Sequence, residues 1–262
     1  REMSPAVKAA TLSGALEHAQ AVARYPGPLQ APAVALAQEL MADVNRDGGE
    51  PQDFDTAFGS ANVHLEEAKR LNAELAAARS EGDADRRQRL REELSARAGQ
   101  MRRLYERALS LTTDRTDPEQ VNVARFRLAY AYFLEQKYFE AAVMGGYVAR
   151  TARERFPDIA VESAYLALAA FDSLFSEADQ GDREFEMQQV MRVARLIADS
   201  WPDSDRAMDA RMIVARLLRQ NGQPLQAAEW YTQVPSTASV FAEAQLGAGQ
   251  SYLNAYLTRS AL

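Results

Sequence analysis

Ala210-Arg211-Met212-Ile213-Val214-Ala215-Arg216-Leu217-Leu218 is followed by Gly222 and Ala227, and the pattern returns 34 residues later. There Ala244, Ala248-Gly249, Tyr252 and Ala261 stand where Ala210, Val214-Ala215, Leu218 and Ala227 stood. An upstream copy, Ala124-Arg125-Phe126-Arg127-Leu128-Ala129-Tyr130-Ala131-Tyr132-Phe133, precedes Tyr138 and Ala141-Ala142 with the same internal spacing. Self-similarity at a fixed period marks a repeat architecture, in which each unit buries its apolar face by stacking on its neighbours. Within each copy the apolar residues recur three and four apart, which predicts helices. No segment alternates with a period of two between hairpin turns, so no strands are expected.

Working outward, Asp117-Pro118-Glu119-Gln120 carries a helix start: Asp to cap, Pro in the first turn where its missing N–H costs nothing, and Gln three residues after the cap. From there to the end the chain reads as helix, short turn, helix. Upstream the texture changes. Leu65, Ala68, Leu71, Leu75 and Ala78 form one apolar stripe, and Leu90, Leu94, Met101, Leu104 and Leu111 another. Between them Ser80-Glu81-Gly82-Asp83-Ala84-Asp85 is a polar turn, with Asp83 or Asp85 placed to cap the second helix. Two long helices joined so briefly pack antiparallel. Ser4-Pro5 opens a further helix that Tyr25-Pro26-Gly27-Pro28 stops, and another runs from about Gln30 to Val44 before the loop Asn45–Pro51. The expected organisation is an N-terminal helical pair and polar loop over 1–55, a long hairpin over 56–111, and repeats over 112–262. The fold class is an all-α superhelix of helix pairs carrying that hairpin in its N-terminal half.

Composition narrows function. With 262 residues and 47% hydrophobic content the chain can bury a core, and 13 glycines are far too few for a collagen-like sequence. The absence of cysteine removes disulfides, zinc-thiolate sites, iron–sulfur ligation and thiol nucleophiles. A net charge of −7 argues against nucleic acid as the main partner. No run of about 18 apolar residues appears, so no membrane span is expected. The chain opens Arg1-Glu2-Met3 without an export signal and stops at Ala261-Leu262, where a last helix pair is half-complete. A segment of a larger protein is the expectation.

The repeat residues resemble the tetratricopeptide repeat, with Leu128-Ala129 at its Leu-Gly pair, Tyr132 at its Tyr and Ala141 at the small residue of its second helix. In the later copy the matching residues are Val214, Ala215, Leu218 and Ala227, with Tyr231 at the second helix's aromatic. The consensus Trp is replaced by Arg125 and Arg211, and the middle copies are longer. Phe156-Pro157-Asp158 and Trp201-Pro202-Asp203, with Tyr25-Pro26 as a worn instance, are similar to junctions in bacterial outer-membrane assembly lipoproteins. There the aromatic closes an interface, Pro breaks the helix and Asp is placed to cap the next. The resemblance implies a scaffold that holds a peptide or partner protein in a concave groove, with no catalysis, and a place in the bacterial cell envelope. Phe126 and Tyr130 fall at groove-lining positions of the first helix, with Phe133 near that edge; Met212 and Arg216 are the equivalents in the later copy. Aromatics four apart can seat an apolar anchor, and Arg can take a carboxylate.

Other chemistry is sparse. Asp43-Val44-Asn45-Arg46-Asp47-Gly48 matches the first half of a calcium loop, so Asp43, Asn45 and Asp47 are candidate ligands for the one cation considered; no other cofactor is expected. The twelfth position, normally a bidentate acid, is Phe54, flanked by Asp53 and Asp55. Residues 86–107 hold eight arginines against three glutamates, but these surround the helix instead of forming one ridge, as on a solvated helix. His18 and His64, the only histidines, have no nucleophile or metal-ligand partner at useful spacing. Gly145-Gly146 lies within a helix and suits close packing or a kink. No phosphate-loop, hydrolase-elbow or zinc-protease motif occurs. The alternative to a groove-binding scaffold is a structural protein that oligomerises through the 56–111 hairpin.

Overall fold

A computed structural model describes residues 51–178 and 183–260, with 11–12, 14–15, 18–19, 21–22, 27–29, 32–33, 35–37 and 40 nearer the N-terminus. Among the described residues the fold is all-α, without a strand. Among the described residues nine helices are bounded: α1 Phe54–Glu81, α2 Ala84–Ser110, α3 Pro118–Leu134, α4 Tyr138–Thr151, α5 Pro157–Glu177, α6 Glu184–Ser200, α7 Asp205–Gln220, α8 Pro224–Thr232 and α9 Phe241–Ser260. The chain divides into two compact units, residues 1–135 and 136–262. The division falls at the turn after α3, inside the span that the sequence assigns to one run of repeats.

In the first unit, α1 and α2 form an antiparallel hairpin. Gly82 closes α1 in the left-handed region at φ 77°, and Asp83 caps α2 by accepting the Arg86 N–H at 2.9 Å. At the far end Asp53 caps α1, its two oxygens accepting from the Thr56 N–H and hydroxyl, each at 2.8 Å. Leu65, Leu71 and Leu75 of α1 and Leu90, Leu94 and Met101 of α2 are buried. The helix α3 packs on α2, and its own cap is Asp117, which accepts the Glu119 N–H at 3.0 Å. Polar ties bind this trio. Tyr105 of α2 donates to Asn62 Oδ1 of α1 at 2.7 Å, and the same oxygen accepts Arg127 Nη1 of α3 at 2.6 Å. Arg97 pairs with Glu67 at 3.1 Å and Arg102 with Glu135 at 2.7 Å, so arginines of α2 tie it to elements on both sides. The described residues between 11 and 40 are helical apart from a turn at 27–29, and Ala19 and Ala37 pack together with Leu40.

His64 of α1 is half-buried beside that Arg97–Glu67 pair. Its Nδ1 lies 3.5 Å from Glu67 Oε2, too far for a hydrogen bond. Burial lowers its pKa; Glu67 opposes this, while Arg97 and Arg103 add to it. The imidazole is therefore neutral in the folded protein at pH 7. Its contribution to stability is complete above the unfolded value near 6.5 and is lost as pH falls through the lower folded value. Between pH 7 and pH 5 the melting temperature of wild type should fall more steeply than that of His64→Gln. Parallel curves for the two proteins would contradict this account of the site.

In the second unit each helix packs on the next, and α5 also packs on α7. α5 is buried on most of its circumference, through small residues such as Ala160, Ala164 and Ala167 and larger ones such as Leu168, Phe171 and Phe175. It is long and apolar enough to cross a membrane by composition, but α4, α6 and α7 pack against it, which accounts for its apolarity. The close approach of α4 to α5 is set by Gly145: a β-carbon there would lie 2.8 Å from the Ser163 carbonyl oxygen. Two ion pairs join α7 to α5, Arg206 with Glu162 at 2.7 Å and Arg216 with Asp172 at 2.8 Å. Both span 44 residues of sequence, so the two helices run parallel in a single register. Arg206 also lies over the Tyr165 ring, 4.2 Å from its centroid.

The two aromatic-Pro-Asp junctions close the α4–α5 and α6–α7 turns, and their aromatics meet: Phe156 and Trp201 pack in one cluster with Val148, Ala152 and Ala160. The expected capping by aspartate is corrected. Asp158 lies in the first turn of α5 behind Pro157, and Ser204, not Asp203, caps α7 by accepting the Ala207 N–H at 3.1 Å. The physical reason is register. Pro157 is the first residue of its helix, whereas Pro202 stands three residues before α7 begins. The 34-residue copies also differ. Ala210, Val214, Ala215 and Leu218 are all buried, as are Ala244 and Ala248, yet Gly249 and Tyr252 are exposed because no described helix packs on that side of α9.

Candidate functional site

A concavity of about 840 Å³ in the second unit lies between α4 and α6 with α5 beneath. Its construction starts from the adjacent glycines. Gly145 turns into α5, and Gly146, one helical step round, lines the groove with Ala142 and Ala149. Small residues along that side of α4 keep the floor low, and Ala164, Phe171 and Met187 make it apolar. Above the floor, Val143 is 54% exposed, and Phe139 and Tyr147, four residues to either side of it, are exposed on the same side of α4. A helix bearing apolar side chains on its solvent side as well as its packed side is unusual for a surface helix, whose outer face is ordinarily polar.

The rim is cationic. Arg150 of α4 and Arg192 and Arg195 of α6 border the groove, with Asp199 as the one acid among the lining residues. All three arginines are exposed, and none forms an ion pair among the described residues. Arg97, Arg102, Arg206 and Arg216 of the same chain are all paired to carboxylates. The groove thus combines an apolar floor with uncommitted positive charge on both walls. Chemically it suits an extended or helical segment with apolar anchors on one face and carboxylates beside them.

The residues singled out from the sequence lie elsewhere. Phe126, Tyr130 and Phe133 are on α3 in the first unit, all partly buried, and burial raises the Tyr130 phenol above its usual range. Met212 and Arg216 are on α7 in the second unit. Met212 is partly buried, and the guanidinium of Arg216 already holds a carboxylate of its own chain, Asp172 on α5. Asp43, Asn45 and Asp47 lie outside the described residues. Of the acids flanking Phe54, Asp53 spends both oxygens on Thr56, and Phe54 itself is buried and stacked on Phe58 at 5.4 Å. Among the described residues no three His, Asp or Glu side chains converge as a metal site.

Sequence reasoning missed α4 and α6 as walls of a groove. The available signals were the spacing Phe139, Val143, Tyr147, which marks a second apolar face on α4, and Arg192-x2-Arg195 on α6. Compared with protein-family models and with curated proteins, the chain matches none.

Proposed function

We propose that this chain is a non-catalytic protein-interaction scaffold of tetratricopeptide-like helix pairs, and that its partner is an amphipathic helix or peptide seated between α4 and α6. The observation that carries the reading is the groove itself: an apolar floor open to solvent, flanked by Arg150, Arg192 and Arg195. The repeat reading is supported by the order of packing in the second unit, where helices contact their neighbours in sequence and the parallel pair α5 and α7 adds a contact two helices apart. It is supported too by the small residues Ala210, Ala215, Ala227 and Ala244, all buried where helices approach. The concave groove expected on α3 and α7 is replaced in this proposal by the groove between α4 and α6, because Arg216 is spent on Asp172. The hairpin alternative has less support: among the described residues α1 and α2 expose no large apolar side chain.

The test is selection from a displayed library of helical peptides. Binders should share two or three apolar anchors spaced four and three apart, with Asp or Glu beside them. Val143→Asp, at an exposed position that leaves the core intact, should weaken them about tenfold or more. Paired replacement of Arg192 and Arg195 by Glu should weaken the acidic ones to a similar degree. Failure to enrich any binder, or binders indifferent to Val143→Asp, would overturn the proposal.

A further inference from the structure

The groove between α4 and α6 differs from one end to the other. The two helices run in the same direction, and α5 packs on both. At their last turns Arg153 Nη1 donates to Ser200 Oγ at 3.3 Å, and the Phe156 and Trp201 rings that follow pack in one cluster. Every charged residue of the lining stands toward this end: Arg150 in the last turn of α4, and Arg192, Arg195 and Asp199 from the middle of α6 onward. Toward the helix starts the lining is Ala142, Val143, Met187, Gln188 and Gln189, without a charge. Phe139 and Phe185, exposed in the first turns of α4 and α6, extend this apolar end. Past it the exposed Glu184 accepts Gln188 Nε2 at 3.2 Å. The α6 side of the groove, residues 187–199, rises about 18 Å, enough to seat three turns of a helix.

A helix laid there is itself polar. Its first turn carries unpaired N–H groups and the positive end of its dipole, so acidic side chains are favoured there and disfavoured in its last turn. Resting on the groove reading above, we propose that the partner segment is a helix with its acids in the first turn and its apolar anchors after them, and that it binds in one direction, antiparallel to α4 and α6. Its acids then meet Arg150, Arg192 and Arg195, which have no ion pair of their own among the described residues. Its free N–H groups lie toward Asp199, one turn past Arg195, and its anchors toward Val143, Phe171 and Met187. Antiparallel alignment also opposes the dipoles of two helices, α4 and α6, against the one, α5, that runs with it. The same helix reversed leaves its acids beside Glu184 and an uncharged lining, away from all three arginines. The groove thus selects the order of acids and anchors along a partner as well as their presence.

A synthetic helical peptide with Glu in its first turn and Leu anchors at steps of four and three tests the direction. A benzophenone at its first residue should crosslink to the wild-type chain around Arg150 and Arg195, and one at its last residue around Val143 and Gln188. Replacing Arg195 by Gln and Gln188 by Arg, both exposed, keeps the net charge and moves one cation to the other end. That double variant should bind the peptide about tenfold more weakly, or hold it with the two crosslinks exchanged. Exchanged or mixed crosslinks within α4 and α6 of the wild type would overturn the direction and leave the groove reading standing. So would a double variant that binds with unchanged affinity and unchanged crosslinks. Crosslinks outside α4 and α6, or binding indifferent to Val143→Asp, would overturn the groove reading and this inference with it.

Discussion

Gly145→Val should cost about 3 kcal/mol of stability and lower the melting temperature by on the order of 10 °C, whereas Ala at the neighbouring Gly146 should cost nothing. The two glycines share a helix and differ only in what they face. A β-carbon at 145 meets the Ser163 carbonyl oxygen at 2.8 Å and the Ala167 β-carbon at 3.3 Å; the first is backbone of α5 and cannot rotate away. A branched side chain there must push α4 off α5, opening the close contact between them. At 146 the nearest atom is Arg150 Nη1 at 3.4 Å, the mobile end of a side chain on the groove wall. Ala at 146 removes the helix-propensity penalty of glycine, worth about 0.5–1 kcal/mol in favour of folding. Thermal and urea unfolding of the two variants checks both signs. Equal losses at 145 and 146 would mean that the helix tolerates neither, and that close approach to α5 is not what fixes glycine at 145.

The second large effect belongs to the first unit. Asn62→Ala should destabilise by about 2–3 kcal/mol, more than Tyr105→Phe at about 1 kcal/mol. Tyr105 is fully buried, its hydroxyl donates to Asn62 Oδ1, and Arg127 donates to the same oxygen. Removing the oxygen takes the acceptor from a buried hydroxyl and leaves the Arg127 guanidinium with the Tyr105 oxygen and the Phe58 ring alone, whereas removing the hydroxyl leaves Asn62 still bonded to Arg127. Combining the two substitutions should cost less than their sum, because the phenylalanine no longer presents an orphaned hydroxyl. Burial also raises the Tyr105 phenol well above its ordinary value. The hydroxyl stays protonated in the fold, and its contribution is lost only as pH rises above about 10, where the unfolded chain ionises. Additive losses in the double variant would contradict a shared acceptor.

Much of this architecture was legible from residue types. The leucine stripes of α1 and α2 announced their burial, and Asp83 and Asp117 announced their caps, because each signal is local to one helix. The cap at Asp203 was misread because Pro202 breaks the chain earlier than Pro157 does, and the difference of register depends on where α6 ends. The groove residues expected on α3 and α7 meet a related limit. Repeat spacing assigns residues to faces of a helix, but Arg216 was committed to Asp172 by a register 44 residues long, which no periodicity within α7 could disclose. Conversely Phe139, Val143 and Tyr147 stand out as a second apolar face only once the packing of α4 on α5 assigns the other side of the helix to the core. Gly145-Gly146 was read as one feature, and only the neighbours of each separate packing from groove floor.

The groove between α4 and α6 is the centre of the functional account, and amide hydrogen exchange with a library-selected peptide tests it most directly. Bound peptide should slow exchange in α4 around 142–150 and in α6 around 187–199, with α7 unchanged. Protection centred on Met212 and Arg216, or on no helix of the second unit, would contradict it.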